Sequence, residues 1–125
     1  MKISQHFHWE EFHPITWNQE VDPEIDDRIV EICEQVRTAI GAPLIITSGV
    51  RTKAQNQTLV SLGKASPASS HLKGLACDLA CTESVVRWKI INTLLANGVT
   101  RIGVSNYFIH FDIDKGKVQN VIWTY

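Results

Sequence analysis

Cysteine is scarce in this 125-residue chain: Cys33, Cys77 and Cys81 are all there is. An odd number at these spacings matches neither a disulfide framework nor a paired-thiolate zinc motif. They read as buried, reduced thiols, with Cys33 on the apolar face of a helix and Cys77 and Cys81 pointing away from the face that carries Asp78. An excess of charge of either sign is also missing, since 12 Lys plus Arg stand against 13 Asp plus Glu and leave a formal net charge of -1. That balance removes the electrostatic case for nucleic acid or an anionic membrane as partner. No apolar run has the length of a signal peptide or a membrane span, so synthesis in a cytoplasm without export signal is expected. Repeats and low-complexity tracts are absent too. With 44% hydrophobic residues, residues 1–125 suffice for one domain that folds without disulfides, expected to be a monomer.

What the chain does have is a dense motif, Ser69-Ser70-His71-Leu72-Lys73-Gly74-Leu75-Ala76-Cys77-Asp78, followed later by Phe108-Ile109-His110-Phe111-Asp112. The imidazoles of His71 and His110 and the carboxylate of Asp78 form a donor set suited to one zinc ion, with a fourth tetrahedral position left for water. Gly74 permits a sharp turn after His71, and 75–80 reads as a strand that returns Asp78 toward it. In the second segment alternation puts Phe108, His110 and Asp112 on one face, while Ile109, Phe111 and Ile113 point into a core. His6, His8 and His13 sit in an aromatic N-terminal segment and are expected to be structural. Asp114 begins the turn Asp114-Lys115-Gly116-Lys117 and is assigned to that turn.

Asp22-Pro23-Glu24 predicts a helix start, with Asp22 as N-cap and a helix to about Ile40 whose stripe Ile25, Ile29, Ile32, Cys33, Val36 and Ile40 packs on a sheet. Gly41 and Pro43 end it. Residues 44–47 read as a strand, 52–62 as a polar helical or irregular segment, and 63–70 as a loop bordering the cleft. Thr82 is expected to cap a second long helix, 83–96, with Val85, Trp88, Ile91, Leu94 and Leu95 facing the core. Strands follow at 101–104, 108–114 and 118–123, the last two expected as an antiparallel hairpin. The fold class is α+β: a single small domain, mainly antiparallel sheet packed by two longer helices.

Four segments in order, Ser4-Gln5-His6-Phe7-His8-Trp9-Glu10-Glu11-Phe12, Ile45-Ile46-Thr47-Ser48-Gly49-Val50-Arg51-Thr52, the His71 to Asp78 motif and the His110 strand, resemble metallopeptidase family fifteen, subfamily A. That family comprises zinc D-alanyl-D-alanine carboxypeptidases, L-alanyl-D-glutamate endolysins and phage relatives, and shares its fold with the hedgehog signalling domain. The resemblance implies hydrolysis of a bond in peptidoglycan stem peptides, with zinc on His71, Asp78 and His110 polarising the carbonyl and acidifying water. It implies that Arg51 faces the site and binds a substrate carboxylate or the oxyanion, with Ser69 as a helper to substrate or ligand. Relatives carry a carboxylate three residues before the last His, where this chain has Tyr107. Asp112, about 7 Å along the strand from His110, is the candidate general base, or else accepts a proton from an imidazole behind the metal. An enzyme without an export signal suits a phage or prophage, acting after lysis or from the virion alongside other phage proteins. The alternative is a catalytically silent zinc-holding binding or virion module of the same fold.

Overall fold

The computed structural model describes residues 1–125. Helix α1, Asp27–Ile40, opens on Asp26, whose side chain accepts from the Arg28 amide, and closes on Gly41 in the left-handed conformation. The expected start at Asp22 is therefore displaced. Asp22 instead accepts from the Asn18 amide, and the Pro23 carbonyl accepts from the Trp17 indole, which ties Asp22-Pro23 into a loop ahead of the helix. Ile29, Ile32, Cys33 and Val36 form the buried stripe, with Ile25 buried just before it.

Helix α2, Lys53–Ser61, carries a reciprocal capping box between Thr52 and Gln55. Helix α3, Ser84–Ala96, has Glu83 at its N-cap, so Thr82 does not cap it. Its buried face is Ile90 and Leu94, flanked by half-buried Val86 and Ile91. Val85, Trp88 and Leu95 lie at the surface instead of the core, Trp88 at 67% exposure. The helix is apolar on nearly every side, so periodicity could not select the face that packs against α1 and the sheet.

The five strands are β1 (Ile46–Ser48), β2 (Ala76–Ala80), β3 (Arg101–Val104), β4 (Phe108–Asp112) and β5 (Val121–Thr124), arranged in the order β1-β2-β4-β3-β5. Pairing is antiparallel except between β3 and β5, which run parallel. The expected β4–β5 hairpin is thus corrected. The turn after Asp114 forms, with the Gly116 amide donating to the Asp114 carboxylate, but both edges of β4 are taken by β2 and β3. β5 takes the outer edge of β3, one of the two edges left open.

Register then fixes the two faces. Asp78 lies opposite His110, His110 opposite Gly103, and Gly103 opposite Trp123, one row across four strands. The next row in the direction of Asp112 runs Ala76, Asp112, Arg101 and Val121. Side chains alternate between faces, so Cys77, Leu79, Ile102, Ile109 and Phe111 go to the other side and are buried in the core with α1 and α3. The N-terminal segment closes the core with Phe7 and Phe12, packed edge to face at 5.6 Å.

Candidate metal centre

His71 lies on the short 3-10 turn Ser70–Lys73, which begins at Ser69 and ends at Gly74 with φ 71°. A side chain at Gly74 would strike the Glu24 backbone carbonyl, so both the left-handed turn and the close approach require glycine. Ser69 accepts from the His71 amide at 3.2 Å, and the Arg51 amide donates to the His71 carbonyl at 3.0 Å. The His71 ring is held by Nδ1, which donates to the Gly49 carbonyl at 2.7 Å and leaves Nε2 facing Asp78 at 3.3 Å.

His110 is gripped on both sides: Nδ1 lies 2.8 Å from Asp78 Oδ1 and Nε2 lies 2.8 Å from Asp112 Oδ2. Donor atoms of His71, Asp78 and His110 all fall within 4.8 Å of one another. Burial opposes a charge on His110, but the hydrogen bonds to Asp112 and Asp78 outweigh it and raise its pKa. Burial likewise opposes ionisation of Asp78, yet the two imidazoles hold its pKa far below the usual carboxylate range. The group is a buried carboxylate facing one ring nitrogen from each of two imidazoles. Such a set of donors fits a zinc-like cation, with each ring oriented from behind by a second partner.

Asp112 is placed on the metal face as alternation predicts, but its oxygens are spent. Oδ2 meets His110, Oδ1 accepts from Arg101 Nε at 2.7 Å and from the Asp114 amide at 3.2 Å, and the side chain is 1% exposed. Both oxygens have partners in the protein, an arrangement that matches the reading of Asp112 as the partner behind an imidazole more directly than its reading as general base. Tyr107 is 73% exposed and is not among the cleft residues. His6 pairs with Glu34, and buried His13 stacks on Trp9 at 3.8 Å and accepts from the Ile25 amide, away from the centre. Asp114 binds Ser70 and Lys73.

A cleft of about 260 Å³ opens over the donors and includes Arg51, Ser69, Arg101, Lys117, Trp123 and Tyr125. Arg51 donates to Asn56 at 2.9 Å and to Ser69 at 3.3 Å, and also borders a neighbouring cavity of about 540 Å³ with Thr47, Gly49 and Gln55. Burial lowers its pKa, an effect the Asp78 charge opposes. Arg101, Lys117, Trp123 and Tyr125 escaped the sequence reading. The period-two alternation of 121–125 could have placed Trp123 and Tyr125 together, but only the pairing with β3 brings them to the cleft. Gly103 makes room for them: a Cβ there would lie 2.6 Å from Trp123 Nε1 and 2.9 Å from Tyr125 Cε2. Burial raises the Tyr125 phenol, against the indole N–H of Trp123, so it stays neutral at pH 7.

Three convergent donors beneath a cation-lined cleft are the arrangement that a metal-dependent hydrolase uses. The chain belongs to the Peptidase M15 family, whose model matches residues 5–112, and it is a metallopeptidase of that family. Its fold is similar to that of the Serratia marcescens L-Ala D-Glu endopeptidase ChiX, at 17% identity and a TM-score of 0.57, over 84% of this chain and 92% of that one. No curated protein matches the sequence. No helix is long and apolar enough to cross a membrane.

Proposed function

We propose that the protein is a zinc-dependent peptidase that cleaves a bond within the stem peptides of bacterial peptidoglycan. The buried triangle of His71, Asp78 and His110, with each imidazole oriented from behind, carries this reading. His71 Nε2, His110 Nδ1 and an Asp78 oxygen would hold the ion, which when bound supplies a Lewis acid and an acidified water. Arg51 binds a substrate carboxylate or carbonyl oxygen, and Ser69 and Asn56 aim its guanidinium. Asp112 keeps His110 in position and fixes which nitrogen faces the metal. Tyr125, as a neutral phenol on the cleft wall, donates a hydrogen bond to the peptide.

Cavities on both sides of Arg51 favour an endopeptidase, because substrate chain can extend past the guanidinium in either direction. The similarity to ChiX supports the same substrate class. Mass spectrometry of purified peptidoglycan fragments incubated with the zinc-loaded protein tests the reading. New fragments that a chelator suppresses are expected, and their masses name the bond; intact fragments would overturn it.

A further inference from the structure

The cations around the metal face are unequal. Arg101 is paired with Asp112 at 2.7 Å, and Lys73 with Asp114 at 3.0 Å. Lys117, half-buried in the cleft, makes no ion pair and its ammonium has no hydrogen-bond acceptor. It feels Asp114 and Asp112 at a distance, but those carboxylates are already committed to Lys73, Ser70, Arg101 and His110. Burial and the charges of Arg101 and Lys73 both act against its own charge. A partly desolvated ammonium without an anion is costly. Kept at the rim of a catalytic cleft, it is a vacant half of an ion pair.

Its position is definite. Lys117 follows the turn after β4, beyond Asp112 in the direction the strand runs, whereas Arg51 sits beside Ser69 and His71. The loop that carries it is anchored: its amide donates to the Asp114 carbonyl, its carbonyl accepts from the Gln119 amide group, and Arg101 binds the Val118 carbonyl at 2.7 Å. A long side chain on a fixed backbone suits recognition of a point charge.

We infer that Lys117 is a specificity residue that takes a second carboxylate of the substrate, one borne by the peptide segment lying on the Asp112 side of the metal face. Arg51 serves the other side, so the preferred substrate is a peptide with acidic groups flanking the scissile bond. This rests on the peptidase reading above.

The test uses the full zinc-loaded chain and two synthetic stem peptides that differ only in one acidic residue, present as free carboxylate or as carboxamide. The wild-type protein is expected to prefer the acid by about 10- to 100-fold in kcat/KM, the value of one charge-assisted hydrogen bond. In Lys117→Met that ratio falls to near one, and Lys117→Arg restores it. A wild-type ratio of one, or a preference that survives in Lys117→Met, overturns the inference. The same acid-to-amide ratio in dissociation constants, measured on the metal-free protein, reads Lys117 without turnover. Tighter binding of the acid that is lost in Lys117→Met supports the inference even where cleavage fails, and cleavage failure on whole peptidoglycan counts against the peptidase reading alone. Should Lys117→Met not fold, Lys117→Gln takes its place in the same acid-to-amide comparison, with the same outcomes.

Discussion

Each residue around the donors does one thing, and its neighbours show which. His71→Ala removes a ligand whose ring is buried and already fixed, so metal content measured by atomic absorption should fall from one equivalent to none, and turnover with it. Asp112→Asn should behave differently, because the Asp112 carboxylate is almost wholly buried and bonded to His110. We expect metal affinity to drop about 10- to 100-fold with residual activity rescued by excess zinc; activity that stays abolished at saturating zinc would identify Asp112 as the base. Asp114 lies outside the site and sets an acid limit on the fold. Burial pushes its pKa up, but Ser70 and Lys73 outweigh this and bring it from 3.8 to about 2. A depressed folded-state pKa contributes stability that is complete above the unfolded value near 4 and is lost as pH falls through 2. The unfolding free energy from denaturant titrations should therefore decline between about pH 4 and pH 2 by roughly 2 kcal/mol through this group, and Asp114→Asn should lose that amount at pH 7.

Among the elements, the period-two strands were the legible ones. Alternation around His110 put Asp112 with it and Ile109 and Phe111 against it, and the register bears that division out. The C-terminal strand was not legible, since its partner depends on which sheet edge stays open after β2, β3 and β4 have paired. Nor was the buried face of α3, whose apolar residues surround the axis. Lys117 was invisible for a related reason: an unpaired cation is defined by what its neighbours have already bound. Gly103 shows how one position can serve a whole wall. Gly103→Ala should push Trp123 and Tyr125 off the sheet, costing about 1–3 kcal/mol by overpacking and raising KM more than it changes metal content. Unchanged KM in a folded Gly103→Ala variant would remove Tyr125 from substrate binding.

For the molecule as a whole, the donors come from one turn and two adjacent strands, so an ion that binds them staples residues 71, 78 and 110 together. Zinc at a thousand times its dissociation constant should add about 4 kcal/mol to stability, raising the melting temperature by roughly 15 °C. Calorimetry with and without chelator checks this, and identical melts would argue against a resident ion. The outer strand has a different fate. β5 is attached to the sheet along one side only, through β3, while the metal donors lie on the 3-10 turn, β2 and β4. Fraying of that strand would therefore widen the cleft without loosening a single ligand. Amide hydrogens of 122–124 should exchange with deuterium sooner than those of 109–111, and a bound peptide should slow the former most, so that one wall of the cleft can adapt to substrate while the face that carries His71, Asp78 and His110 keeps its geometry.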